Sequence, residues 1–157
     1  VLGSFEGIIH VLTYDRSEPV AWLQSTRTGT AKFNEGVASG TIGVLDTIDA
    51  KHAYWVRANA FVDLKVDIPA AALLGQFPPT TAVIVGWNLV PVLDVALPSF
   101  DSLKTADDYF AGLKWSAALT WDPVTAKFEK VVPGATSKVK VGRGYWVWMR
   151  EAGTIVP

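Results

Sequence analysis

The sequence contains no cysteine and only two histidines, and each scarcity excludes a class of site. Without cysteine, the chain has no disulfide, no thiolate ligand for a metal and no cysteine nucleophile. His10 and His52 lie far apart in unlike contexts, whereas a zinc site needs three or four ligands. We therefore expect no metal site and no cofactor, with His10 satisfied within a strand and His52 exposed in a turn.

Charged residues are also scarce. They make up 18% of the chain, below the level of about 25% in typical soluble domains, and the net charge is −1 at pH 7. Lysine and arginine are scattered rather than clustered, so we expect no nucleic-acid partner. Because 50% of the residues are hydrophobic, the composition excludes a disordered chain and favours a well-buried or self-associating fold.

Long hydrophobic runs are missing as well. Asp94 interrupts the most apolar stretch, residues 81–97, and no run reaches the roughly 18 residues that span a bilayer. The chain begins Val1-Leu2-Gly3, without a methionine or a cationic, apolar leader. We expect either a mature product whose signal has been removed or a piece of a longer protein, and both fit secretion.

Motifs of common catalytic sites are not found in the sequence. There is no Gly-x-Ser-x-Gly elbow, and the acidic residues lack the alternating Asp-x-Asp-x-Asp-Gly spacing of a calcium loop. The glutamates lie in or beside polar turns or at strand ends, and nothing sets two of them at the separation that glycoside hydrolysis needs. We expect no enzyme, and a glycoside-active enzyme is the least favoured alternative.

What the sequence does have is a regular stretch at residues 142–149, where a glycine turn leads into alternating aromatic and aliphatic residues. Successive side chains of a strand point to opposite faces. The two expected faces are Tyr145, Val147 and Met149 on one side, and Trp146, Trp148 and Arg150 on the other.

Similar short segments along the chain predict a mainly β fold, either a duplicated antiparallel β sandwich or a barrel-like module. Strands are predicted at residues 8–14, 20–23, 41–45, 54–56, 61–68, 83–85, 87–90, 92–95, 113–121, 126–132, 136–141 and 145–150. One packed α-helix is predicted at residues 99–112, with Ser99 as its N-cap and Gly112 at its end. Its apolar residues recur at three- and four-residue spacing: Phe100, Leu103, Ala106, Phe110 and Leu113.

Three blocks of residues occur twice in the same order, which predicts an internal duplication. The pairs are Leu12-Thr13-Tyr14-Asp15 with Leu119-Thr120-Trp121-Asp122, Thr30-Ala31-Lys32-Phe33 with Thr125-Ala126-Lys127-Phe128, and Tyr54-Trp55-Val56 with Tyr145-Trp146-Val147. We predict a first degenerate β repeat at residues 1–68, a connecting segment at residues 69–80 and a second β repeat with the helix at residues 81–157. The two repeats are expected to share one core.

The first repeat lacks counterparts of the helix and of the strand at residues 87–90. A missing strand leaves an open sheet edge, which must be covered or pair with another strand. One hypothesis is strand addition from a neighbouring copy of the chain, in an array or a filament. The alternative is a local loop that covers the edge.

The second repeat opens with Trp87-Asn88-Leu89-Val90-Pro91-Val92, turns at Trp121-Asp122 and closes with Gly142-Arg143-Gly144-Tyr145-Trp146-Val147. These motifs resemble a repeat of large secreted and cell-surface proteins of bacteria and archaea, in which a Trp-Asn-Leu strand opens the module and a Gly-x-Gly-Tyr-Trp-Val strand closes it. The resemblance covers mainly residues 86–157; the first copy shares only Tyr54-Trp55-Val56. It implies an extracellular, non-enzymatic β module.

Tryptophan is abundant, with 7 in 157 residues. An indole exposed on a sheet face can stack on a sugar ring, and a polar side chain beside it can bond the sugar hydroxyls. A ligand-binding surface is therefore predicted at Trp146, Trp148 and Arg150, with its equivalent in the first repeat at Trp55 and Arg57. The alternative is that the indoles fill the space between the sheet and the predicted helix.

These features predict a non-catalytic extracellular module with a structural or adhesive role in a surface layer, an appendage or a larger surface assembly. The alternative is a carbohydrate-binding module that uses the tryptophans of the two Tyr-Trp-Val strands. The expected partner is a further copy of the chain or a glycan.

Overall fold

The chain divides into two compact units in the computed structural model. One unit comprises Val1–Asp49 and Tyr54–Pro69, and the other comprises Ala50–Ala53 and Ala70–Pro157. The described residues are 7–16, 21–26, 42–45, 48–49, 51–60, 80–93 and 103–157. The predicted strand at residues 61–68 and most of the predicted connecting segment at residues 69–80 lie outside them.

The described residues are mainly β, as the sequence predicts. The strands are β1 (Ile8–Tyr14), β2 (Trp22–Thr26), β3 (Gly43–Val44), β4 (Trp55–Ala58), β5 (Thr81–Val83), β6 (Gly86–Pro91), β7 (Leu103–Thr105), β8 (Trp115–Asp122), β9 (Lys127–Val131), β10 (Lys138–Lys140), β11 (Gly144–Met149) and β12 (Gly153–Ile155). A short helix, α1 (Ala106–Tyr109), lies between β7 and β8.

The first unit contains a four-stranded sheet in the order β3-β2-β1-β4. All of its pairs are antiparallel except β2 with β3, which is parallel. The buried residues Ile8, Val11 and Leu45 form its hydrophobic cluster, against which Leu23 and Tyr54 pack while staying partly exposed. Buried and partly buried side chains alternate along most of β1, because one face of the strand packs on this cluster. The sequence predicts this strand for the same reason.

The second unit contains a four-stranded antiparallel sheet in the order β6-β11-β8-β9, together with two small antiparallel sheets, β10-β7 and β12-β5. One cluster of buried side chains draws on the large sheet, both small sheets and α1. Its members are Val83, Val90, Val92, Ala106, Tyr109, Phe110, Trp115, Ala118, Val139, Val141, Tyr145, Val147, Met149 and Ile155. This layering is consistent with the predicted β sandwich, and over the described residues none of the sheets closes into a barrel.

The predicted helix at residues 99–112 is wrong in its extent. Leu103–Thr105 forms β7, which pairs with β10, and α1 covers only Ala106–Tyr109. The backbone N–H of Ala106 donates to the carbonyl of Ser137 at 2.8 Å, so the strand pairing continues to the first residue of the helix. Tertiary pairing therefore overrides the helical spacing of the apolar residues. The predicted N-cap Ser99 lies outside the described residues.

Several strand boundaries also differ from the prediction. Residues 25–26 lie beyond the predicted strand at residues 20–23 but complete β2, and Ser25 is 2% exposed opposite Val11. In contrast, Val92, the first residue of the strand predicted at residues 92–95, is not in a strand. Its N–H donates to the carbonyl of Arg143 and its carbonyl accepts from the N–H of Gly142, just before β11 begins. β12 was not predicted. It has only three residues, Gly153, Thr154 and Ile155, which is too short for an alternating pattern to be recognised.

The two four-stranded sheets share one pairing pattern. In each, a central strand pairs antiparallel with a hairpin partner on one side and with a Trp-Val strand on the other, in the orders β2-β1-β4 and β9-β8-β11. Leu12 lies opposite Trp55, and Leu119 lies opposite Trp146. The Leu-Thr and Trp-Val blocks matched in the sequence therefore occupy the same places in the two sheets.

The irregularities of the two central strands also coincide. The register shifts between Ile8 and His10 in β1, and between Trp115 and Ala117 in β8. Burial follows the same sequence of buried and partly buried positions along the first six residues of each strand. The third matched block cannot be compared, because residues 30–33 lie outside the described residues.

Candidate functional site

β11 has a buried face and a more exposed face. Tyr145, Val147 and Met149 are at most 1% exposed and belong to the core of the second unit. Trp148 is 40% exposed, and Trp146 is half-buried on the same side of the strand. The alternation predicted from the sequence is present, and neither indole belongs to the buried cluster of the second unit.

A different indole fills the core. Trp115 is 7% exposed, and its ring lies 5.0 Å from the ring of Phe110, which is itself 1% exposed. Trp115 and Phe110 thus supply aromatic rings to the buried cluster, whereas the indoles of β11 point away from it.

The outward side of the large sheet of the second unit is apolar at every strand position except Lys130, and we call it the aromatic face. Residues directly opposite each other on paired strands share a face, so the ladder registers define its members. They are Trp87, Leu89 and Pro91 of β6, Gly144, Trp146 and Trp148 of β11, Ala117, Leu119 and Trp121 of β8, and Phe128 and Lys130 of β9.

Two ring pairs organise the aromatic face. Trp87 and Trp148, directly opposite each other, have ring centroids 5.3 Å apart with planes at 77°. Trp121 and Phe128, the last aromatic pair before the β8–β9 turn, are 5.2 Å apart at 72°. In an edge-to-face pair, one ring contacts its neighbour through its edge. The neighbour therefore does not cover the planar surface of that ring.

One corner of the aromatic face is covered from within the second unit. A Cβ atom placed on Gly144 would lie 2.9 Å from the Cβ of Ala53 and 4.0 Å from Leu89 Cδ1. Ala53 and Leu89 are accordingly 5% and 7% exposed. The cover stops at this corner, since Trp121 and Phe128 are 37% and 53% exposed.

Near the aromatic face, two acidic side chains form ion pairs, whereas two basic side chains do not. Glu151 forms an ion pair with Lys114 at 2.6 Å, and Glu129 approaches Lys140 at 3.6 Å. Within the described residues, neither Lys130 nor Arg150 takes part in an ion pair. Glu151 and Glu129 are thus each paired with a lysine, while Lys130 and Arg150 have no carboxylate partner among the described residues.

Asp122 is engaged within its own turn. Its carboxylate accepts hydrogen bonds from the Thr125 hydroxyl at 2.6 Å and from the backbone N–H groups of Val124 and Thr125 at 3.0 and 3.3 Å. The Thr125 hydroxyl is the largest cause that lowers the pKa of Asp122 below its ordinary value. The turn also holds Ala126 at a φ of 52°, and Asp122 is therefore a turn-forming residue.

The first unit has a reduced counterpart of this arrangement. Tyr14 lies opposite Trp22, with ring centroids 4.9 Å apart, in the place that Trp121 and Phe128 occupy in the second unit. Trp55 is half-buried in β4, and Arg57, two residues further on, is exposed opposite His10.

The structure brings together only some of the residues predicted as a ligand surface. Trp146 and Trp148 share the aromatic face, and Arg150 is an exposed residue just past the end of β11, where its N–H donates to Lys114 at 2.7 Å. Trp55 and Arg57 lie on a separate sheet in the other unit.

Sequence reasoning missed the three other aromatic members of the aromatic face, Trp87, Trp121 and Phe128, and its one cation, Lys130. Trp121 and Phe128 flank the turn that begins at Asp122, so a hairpin register would have placed them opposite each other. No local signal in the sequence predicts the position of Trp87, because Trp87 and Trp148 pair across strands that are far apart in the chain.

Other candidate chemistry is limited to isolated groups. His10 Nε2 lies 3.2 Å from Gln24 Oε1 across β1 and β2, in agreement with the expected satisfied strand histidine. Among the described residues, no three His, Cys, Asp or Glu side chains are placed to hold a metal ion. Over the same ranges, no helix has the length and apolar character that crossing a membrane requires.

The aromatic face is therefore the main cluster of functional candidates in the described part of the chain. Comparison with known proteins adds no relative to it: no family model, no curated protein and no solved structure matches the chain.

Proposed function

We propose that the chain is a non-catalytic adhesion module of an extracellular assembly and that it makes contact through the aromatic face. The observation that carries the proposal is the gathering of four indoles and a phenyl ring on one side of one sheet. Contiguous exposed apolar surface of this kind marks interaction sites in soluble proteins. Tryptophan is moreover the residue type most enriched in the centres of binding surfaces.

A place in a surface layer, an appendage or a larger surface assembly fits the same features. The resemblance of residues 86–157 to a repeat of secreted and cell-surface proteins supports it. The shared pairing pattern of the two four-stranded sheets supports a duplicated module, since repeats of one unit are the usual basis of such arrays. We therefore also propose that the two sheets arose by duplication.

Self-association through the aromatic face is tested by light scattering over a range of protein concentrations. We expect the particle mass to rise with concentration, and to rise less in a variant with Trp121→Ser and Phe128→Ser. Val124→Ser is the matched control, because Val124 is 89% exposed in the adjoining turn and is not on the sheet face. A monomer at every concentration would contradict assembly from copies of the chain.

Carbohydrate binding is the second candidate function. It is favoured by a specific observation: Trp146 and Trp148 lie two residues apart on one strand, with Trp87 directly beside Trp148. Strand geometry puts the first two about 7 Å apart along the sheet, so one extended chain can touch both rings. Titration with glycans while following tryptophan fluorescence tests this function, and a signal that no glycan changes would retire it.

A further inference from the structure

The aromatic face carries a charge of one sign. Its strand positions are apolar except for Lys130, which lies opposite Leu119 and two residues from Phe128. Lys130 is in the same row across the sheet as Trp146, since Leu119 pairs with both. Two strand spacings separate Lys130 from Trp146, a distance of about 10 Å.

Three described carboxylates near the aromatic face, those of Asp122, Glu151 and Glu129, are engaged elsewhere and do not pair with Lys130. Asp122 accepts three hydrogen bonds inside its own turn, and Glu151 is held by Lys114. Glu129 precedes Lys130 in β9 and therefore lies on the opposite face, where it approaches Lys140. A ligand that lies along the indoles thus meets an unneutralised ammonium group at Lys130, and Arg150 adds a second cation past the end of β11.

Planar stacking surfaces beside a few cations suit one class of ligand. A nucleic acid has a phosphate at every residue and calls for a track of several Lys and Arg, whereas the strand positions of the aromatic face hold one. A chain of sugar rings that carries carboxylates combines flat apolar ring surfaces with an intermittent negative charge.

We propose that the aromatic face binds an anionic polysaccharide, with its sugar rings on Trp146 and Trp148 and a ring carboxylate at Lys130. The proposal rests on the proposed carbohydrate-binding function and specifies the charge of the ligand.

The test compares two polymers with the same backbone: polygalacturonate and its fully methyl-esterified form, in which the carboxylates are masked. Binding of the full chain to each is measured by calorimetry at low and high salt. We expect tighter binding of polygalacturonate, and a preference that shrinks at high salt because exposed ion pairs are screened.

Two lysine variants locate the charge. Lys130→Gln should weaken polygalacturonate binding about twofold to fivefold, as expected for one exposed ion pair, and leave binding of the methyl ester unchanged. Lys127→Gln is the matched control, because Lys127 is an exposed lysine of the same strand on the opposite face. Trp148→Ala should weaken binding of both polymers about tenfold or more.

The outcomes separate the two levels of the proposal. Equal binding of both polymers, lost in Trp148→Ala but not in Lys130→Gln, would overturn the anionic ligand and leave carbohydrate binding intact. If neither polymer nor any neutral glycan binds, both ideas fail. Tighter binding of polyglutamate or of single-stranded DNA than of polygalacturonate would overturn the proposal in favour of another polyanion. Lys130→Gln alters only an exposed side chain, so its result does not depend on whether Trp148→Ala folds.

Discussion

Gly144 shows how a single residue allows one segment to lie on another. Residues 51–53 of the second unit approach the aromatic face so closely that a Cβ at Gly144 would come within 2.9 Å of the Ala53 Cβ. Real Cβ atoms essentially never come this close to a non-bonded carbon atom. Since the Cβ of Ala53 is fixed to its backbone, only a backbone shift would make room.

Gly144→Ala is therefore expected to destabilise the protein by about 1–3 kcal/mol, the usual cost of overpacking. Gly153→Ala is the comparison, because its Cβ would meet the Cδ2 of Leu113, which can move away by rotation of the side chain. That variant should lie within about 1 kcal/mol of the wild type, since alanine also restricts the unfolded chain. Urea denaturation followed by circular dichroism measures both, and equal stabilities of the two variants would contradict this packing.

The ionisation of Tyr54 is altered by its surroundings. Burial raises its pKa to about 12, although the backbone N–H of Asp49 donates to its hydroxyl at 3.0 Å and favours the phenolate. The negative charge of Asp49 raises the pKa further. Folding thus keeps this phenol protonated at a pH at which the unfolded chain has lost its proton.

The consequence appears at alkaline pH. The contribution of Tyr54 to stability is fully present below a pH of about 10 and declines as the pH rises through the folded pKa of about 12. The phenolate absorbance that is lost in Tyr54→Phe should titrate about two pH units above that of an exposed tyrosine, and the variant should lose less stability between pH 10 and 12. A lost step with its midpoint near pH 10 would contradict the burial of this phenol.

At the scale of elements, strands with alternating side chains and the presence of one helix were predictable, whereas the extent of the helix was not. β1 and β11 follow from local alternation, because one face of each strand is buried. The segment at residues 103–105 contains the same kind of apolar spacing as a helix, yet Leu103 is 60% exposed and the backbone pairs with β10. Pairing with a segment more than thirty positions away leaves no local trace in the sequence.

β11 also allows the two faces of one strand to be compared directly. Met149→Ala is expected to destabilise the protein by about 2–5 kcal/mol, because it leaves a cavity at a fully buried position. Trp148→Ala removes a larger side chain but should cost less than Met149→Ala, because this indole is 40% exposed and its removal leaves no enclosed cavity. Chemical denaturation of the two variants measures the difference, and a larger loss for Trp148→Ala would place that indole in the core.

At the scale of the whole molecule, the sequence predicted the β architecture and part of the candidate site. Trp146 and Trp148 were found because they stand two apart in a strand, which is local information. Trp87 and Lys130 join them only through the ladders from β6 to β9, and a ladder between distant strands has to be seen in three dimensions. The predicted sharing of one core by the two repeats stays a prediction.

Equivalent positions in the two units differ in burial, and this difference predicts unequal stability. Val147 of β11 is 0% exposed, whereas its counterpart Val56 of β4 is 46% exposed. Less apolar surface is removed from water at that place in the first unit. In hydrogen exchange, we expect the amides of β1 and β4 to exchange faster than those of β8 and β11, and guanidinium to unfold the chain in two steps. One cooperative transition with equal protection of both sheets would instead support a single shared core.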